Sequence, residues 1–101
     1  MIEVIVNRPS FEYDIHSLVK AFFPREEVSV RVQEDFLEDT RIRLAVRLTD
    51  ILVQAELFES GELREKKMHP IDPEDRKETK NHLKRLIYRL LSSYTGQSLP
   101  W

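Results

Sequence analysis

The sequence predicts an α+β domain: a single layer of largely antiparallel sheet with two helices packed on one of its faces. Three observations lead there. Ile2, Val4 and Val6 recur at every second position, with Glu3 and Asn7 between and after them, and a long amphipathic stretch closes the chain. Between residues 41 and 58 two further alternating runs follow one another with almost no spacer. Alternation is the period of a half-buried strand, and apolar steps of three and four are the period of a helix with one buried stripe. The predicted order is β-α-β-β-β-(β)-α, with four or five strands.

Ile2, Val4 and Val6 alternate with Glu3 and give a first strand ending at Asn7. Pro9-Ser10 offers a break and an N-cap, after which Phe11, Ile15, Leu18, Val19 and Phe22 repeat at helical spacing until Pro24. The first helix is therefore expected over about 11 to 22. Val28, Val30 and Val32 mark a second strand, and Gln33 to Asp39 reads as an acidic loop carrying Phe36 and Leu37. Ile42, Leu44, Val46 and Leu48 alternate with arginines and Ala45, and Ile51, Val53, Ala55 and Leu57 alternate in turn. A two-residue loop at Thr49-Asp50 would set Leu48 opposite Ile51 and Val46 opposite Val53, with Arg43 opposite Glu56 and Arg41 opposite Phe58. Ser60-Gly61 is a second turn. The charged run from Leu63 to Met68 suits either a solvated loop or, as favoured here, a short edge strand guarded against sheet-to-sheet pairing.

The last helix is expected from about Pro73 to Tyr94. Asp72-Pro73-Glu74-Asp75 supplies a cap, a proline and acids at the positive end of the helix dipole. Leu83, Leu86, Ile87, Leu90, Leu91 and Tyr94 form its buried stripe, with Lys80, Lys84, Arg85 and Arg89 on the other face. Gly96 stands where a left-handed C-terminal cap belongs.

The 101 residues are enough for one modest core, so one domain over 1–101 is expected. A net charge of -2 argues against a general polyanion binder, hence against free DNA. The absence of cysteine excludes disulfides, thiolate nucleophiles and any iron–sulfur cluster ligated within this chain. No apolar run approaches the roughly 20 residues of a membrane-spanning helix, and residues 1–6 do not resemble a secretion signal, so no membrane partner and a cytoplasmic setting are expected.

Candidate sites are few. His16, His69 and His82 lack metal-ligand spacing; Glu78 and His82, one helical turn apart, read as a solvated pair, and no metal is implied. Arg31, Arg41, Arg43 and Arg47 would share the uncovered sheet face as a possible anion patch, although structural cross-strand roles are the simpler reading. Ser92-Ser93 has no evident base, and no catalytic set assembles. Tyr94, Pro100 and the lone Trp101 stand out as possible domain-docking residues, because a large apolar indole beyond the helix stop asks for more protein to cover it. On this reading the chain is cut just before a further domain.

Asn81-His82-Leu83-Lys84-Arg85-Leu86-Ile87-Tyr88-Arg89-Leu90-Leu91, followed by Tyr94-Thr95-Gly96 and Pro100-Trp101, resembles the N-terminal region of HemZ-type proteins. These are the oxygen-independent coproporphyrinogen III oxidase (coproporphyrinogen dehydrogenase) branch of the radical SAM superfamily. In that family a similar helix and Thr-Gly lead into Trp-Gly-x-Leu-Thr-Gly-x-Arg-Pro, of which only the tryptophan is present here. The resemblance follows the whole chain in element order but is specific over about its last 20 residues. It implies an oxidoreductase of haem (porphyrin) biosynthesis that decarboxylates two propionates of coproporphyrinogen III, using S-adenosylmethionine and a [4Fe-4S] cluster held by CxxxCxxC. This chain has no cysteine, so the resemblance implies an accessory domain without catalytic, cofactor-binding or metal residues, partnered by its own C-terminal radical SAM domain. The alternative is a small nucleic-acid-binding α+β module using the arginine-bearing sheet face.

Overall fold

The computed structural model describes residues 1–33, 36, 40–72 and 74–98, the side chains of Ser10 and Arg76 excepted. The elements are β1 (Ile2–Val6), a 3-10 turn (Pro9–Phe11), α1 (Glu12–Phe22), β2 (Val28–Val32), β3 (Ile42–Leu48), β4 (Leu52–Glu59), β5 (Glu62–Pro70) and α2 (Arg76–Thr95). The five strands form one sheet in the order β2-β1-β3-β4-β5, so the fold is α+β as expected. The sheet is mixed. β1 runs parallel to both β2 and β3, whereas β3, β4 and β5 form an antiparallel meander.

Alternation along each strand sends one set of side chains towards the helices. Ile2, Val4 and Val6 of β1, Leu44 and Val46 of β3, and Val53, Ala55 and Leu57 of β4 meet Ile15, Leu18, Val19 and Phe22 of α1 and Leu83, Leu86, Ile87, Leu90 and Leu91 of α2 in one core. Burial of these side chains, at about 1.5–3 kcal/mol for a large aliphatic one, is the main force holding both helices to the sheet. Asn7 ends β1 in a defined way: its amide donates to the Leu48 carbonyl at 2.8 Å and accepts from the Leu48 N–H at 2.9 Å. A side chain thus replaces the next backbone pair.

The hairpin between β3 and β4 differs from the expected one by two residues. Leu48 faces Val53, Val46 faces Ala55 and Leu44 faces Leu57. Thr49 closes the loop: its N–H donates to the Leu52 carbonyl at 2.9 Å, and its hydroxyl accepts from the N–H groups of Ile51 and Leu52 at 3.3 and 3.2 Å. The tip is therefore Asp50-Ile51, and Ile51 is 71% exposed instead of paired. A slip of two keeps every side chain on its expected face, which is why the core assignment survives the change of register. At the next turn both Ser60 (φ 51°) and Gly61 (φ 83°) are left-handed, the geometry that a two-residue hairpin matches to strand twist. β5 then runs through nine residues, longer than the short edge strand expected.

α2 starts three residues later than Asp72 would set it. Asp75 is the cap, its carboxylate accepting from the Glu78 N–H at 3.1 Å, while Asp72 accepts from the Glu74 N–H at 3.0 Å in the approach. Pro73 lies outside the described residues. At the other end Gly96 adopts φ 71° and its N–H donates to the Ser92 carbonyl, the left-handed cap anticipated. The first helix begins after the 3-10 turn, with Phe11 at its cap position and no side-chain cap bond there.

Candidate functional site

The sheet face away from the helices was expected to stay polar or to await a partner. Its centre is instead buried: Glu3 is 0%, Ile5 2% and Ala45 3% exposed, although none of them belongs to the core beneath the helices. β2 and β3 lie on opposite sides of β1 and parallel to it. Phe36, between β2 and β3 in the chain, meets Phe58 of β4 edge-on with ring centroids 6.0 Å apart, and the Arg43 guanidinium lies 5.6 Å from the Phe36 centroid. Leu37 and Asp39 lie outside the described residues.

Of the four arginines, Arg31, Arg43 and Arg47 belong by register to the face away from the helices, and Arg41 stands just before β3. Arg43 faces Phe58 rather than Glu56, and its Nε donates to the Thr40 carbonyl at 3.2 Å. Arg31 is half-buried opposite Ile5, and Arg47 is exposed opposite Gln54. Arg41 pairs with Glu59 at 3.5 Å. The expected Arg41–Phe58 and Arg43–Glu56 pairs are thus corrected by the two-residue change of register.

Glu59 is a centre that sequence reasoning missed. Arg41 and Arg64 both reach it at 3.5 Å, and the Tyr94 hydroxyl donates a short hydrogen bond to it. That bond, helped by the two guanidiniums against some desolvation, holds the Glu59 carboxyl below its usual pKa. Partial burial and the neighbouring carboxylate push the Tyr94 phenol up. Tyr94, expected as a docking residue, is half-buried against the core and engaged within its own domain. Pro100 and Trp101 lie outside the described residues.

The histidines are placed in part as expected. His16 is exposed on α1. His82 Nε2 lies 3.7 Å from Glu78, too long for a hydrogen bond, and its ring stacks on His69 with centroids 4.3 Å apart, a contact between β5 and α2 that spacing alone could not reveal. No group of three or more His, Cys, Asp or Glu arranged to hold a metal occurs among the described residues. Both serines after Leu91 serve structure: Ser92 Oγ donates to the Gln97 carbonyl at 2.6 Å and Ser93 Oγ to Glu65 at 3.0 Å. Between the helices Asp14 receives Lys80 at 2.9 Å and Lys84 at 3.4 Å; desolvation works against the charge, but the two ammoniums hold its carboxyl below the usual value. Among the described residues, no helix is long and apolar enough to cross a membrane.

Comparison of the chain with models of protein families, with curated proteins and with solved structures found no match.

Proposed function

We propose that this chain is the non-catalytic N-terminal domain of an oxygen-independent coproporphyrinogen III oxidase-like radical SAM enzyme of haem biosynthesis, working in the cytoplasm. The observation that carries this reading is the family-like segment from Asn81 to Leu91 with Tyr94-Thr95-Gly96. In the fold it is the helix that builds the core and the left-handed cap at which the chain leaves it. The residues that carry the resemblance therefore have a structural task in this fold. S-adenosylmethionine and the [4Fe-4S] cluster would belong to the remainder of the parent enzyme, since this chain has no thiolate with which to hold iron. The test is the coding sequence beyond Trp101: it should continue into Gly-x-Leu-Thr-Gly-x-Arg-Pro and then CxxxCxxC, and a stop codon there or a continuation without the cysteine motif would refute the proposal. The chain by itself, treated anaerobically with iron and sulfide, should neither develop cluster absorbance nor cleave S-adenosylmethionine.

A nucleic-acid module is the second reading, motivated by Arg43, Phe36 and Phe58 on one face. It is the weaker one: Arg41 is held by Glu59, and Glu3 and Glu56 belong to that same face. An RNA gel shift that weakens steeply with salt would favour it.

A further inference from the structure

β2 ends the sheet on one side and β5 on the other. The two edges differ in kind. β5 carries Glu62, Arg64, Glu65, Lys66 and Lys67, shifts its register against β4 at Leu57 and Phe58, and ends in Pro70; charge, bulges and proline are what keep a sheet edge from pairing further. β2 reads Val28-Ser29-Val30-Arg31-Val32, with a β-branched residue at every second position and Arg31 as its one charge.

The ladder to β1 decides which backbone groups of β2 are already used. The Ile2 N–H donates to the Glu27 carbonyl at 2.7 Å and the Gln33 N–H to the Val6 carbonyl at 3.2 Å, at the two ends of a parallel pairing that matches Ile2 with Val28 and Val6 with Val32. In a parallel ladder each residue bonds to the neighbours of its partner. Ser29 and Arg31 therefore turn their N–H and carbonyl groups to β1, and Val28, Val30 and Val32 turn theirs outwards. No other bond to those outward groups occurs among the described residues. The side chains add a second observation: Val28 is buried and Val30 half-buried against the core, while Val32 is 45% exposed on that same face at the end of the strand.

We infer that β2 pairs antiparallel with β2 of a second copy of the chain, about a two-fold axis at Val30, so that two molecules share one continuous sheet. Val30 then faces Val30 of the other copy, and Val28 faces its Val32. Each valine exchanges both an N–H and a carbonyl, so every outward group of β2 is bonded, and the exposed Val32 is laid against Val28 at the rim of the other core. Ser29 stands opposite Arg31, and no like charges meet. The neighbouring registers are worse. An axis at Arg31 sets guanidinium against guanidinium, and an axis at Ser29 sets Val32 against Glu26, which lies outside the strand. The edge is thus complementary to itself in one register, which selects a second copy as its occupant.

Sedimentation equilibrium tests the association. Because one five-residue strand makes a small interface, the 101-residue chain should be followed from about 1 µM to about 1 mM, over which its weight-average mass should rise towards twice that of the monomer. Val32→Lys points a charge at Val28 across the axis without entering the core, and should hold the mass at the monomer value while leaving the circular dichroism and the melting of dilute samples unchanged. Disulfide trapping tests the register, since the chain has no cysteine of its own. Ser29 and Arg31 of the other copy form a non-hydrogen-bonded pair with Cα atoms about 4.5 Å apart, within disulfide reach, whereas Ser29 lies about 8 Å from the other Ser29, beyond it. A mixture of Ser29→Cys and Arg31→Cys chains should therefore form a covalent dimer under mild oxidation, and either variant alone should not. A wild-type mass that stays monomeric to the top of the range, a Val32→Lys chain that associates as wild type does, or a mixture that cross-links no better than the single variants would each overturn the pairing.

Discussion

Leu90 is the position at which the account of the core is most exposed to refutation. It is 0% exposed on α2, within the cluster that joins the sheet to both helices. Leu90→Ala removes the apolar bulk of a fully buried leucine, and the surrounding wall is sheet on one side and α1 on the other, so the site can collapse only in part. A loss of about 3 kcal/mol is expected, within the 2–5 kcal/mol typical of such truncations. A domain of this size has a total stability of only about 5–15 kcal/mol, so the change removes a large share. With a urea slope near about 1.5 kcal/mol/M, the denaturation midpoint should fall by roughly 2 M at unchanged slope. Leu90→Asp, which places an unpaired carboxylate in the same position, should leave the chain largely unfolded in buffer. The exposed control Lys77→Ala should stay within about 0.5 kcal/mol of wild type. A midpoint shift for Leu90→Ala no larger than that control would mean that α2 does not bury this face, and the packing described above would be wrong.

Four further outcomes follow from particular residues. Because the folded pKa of Glu59 lies below its unfolded value, its stabilising effect is present above about pH 4.5 and is lost as pH falls through the folded value; Tyr94→Phe should reduce this acid-side loss, so that variant and wild-type melting temperatures converge as pH is lowered. Tyr94 itself has a raised pKa, so its contribution is complete below pH 10.0 and declines as pH rises beyond it, a decline the phenylalanine variant should lack in thermal melts. Asp14→Asn should destabilise the α1–α2 contact, and the difference from wild type should shrink when melts are repeated at high salt. Gly96→Ala should cost about 1 kcal/mol in urea denaturation from its left-handed φ alone, since a Cβ there meets nothing within 4 Å; an unchanged midpoint would place the residue in another conformation.

What the sequence revealed and what it hid divide along the range of the forces involved. The stripes on α1 and α2 and the alternation in β1, β3 and β4 are local patterns, and each appears in the core as read. The Gly96 cap was equally legible, because a glycine after the last apolar step has few other reasons to be there. The β3–β4 register was missed because Thr49 forms its loop bonds with a side chain, making Asp50-Ile51 the tip although an apolar Ile51 looks like strand. Alternation puts Glu3 on the face away from the helices, and that it is buried there is a tertiary fact that no local spacing reveals. The partners of Arg41 and Arg43 were hidden likewise, because Glu59 and the Thr40 carbonyl come within reach only in the folded chain. The Glu59–Tyr94 contact joins residues 35 positions apart, and no spacing rule reaches that far.

The position of β1 has a consequence for how the molecule is made. The first strand of this chain is an interior one of the finished sheet, hydrogen-bonded to β2 on one side and β3 on the other. It cannot be completed from residues 1–32 alone, which would leave a two-stranded ribbon under one helix with an apolar face uncovered. The meander of β3, β4 and β5 has short connections and can form by itself, so a nascent chain waits with an open strand edge until the second half arrives and closes on it. Until then that edge is available to any other extended segment, including the same strand of a neighbouring nascent chain. An N-terminus in most domains can be trimmed or tagged with little effect; here loss of Ile2 to Val6 would divide the sheet into two pieces, each with a fresh edge.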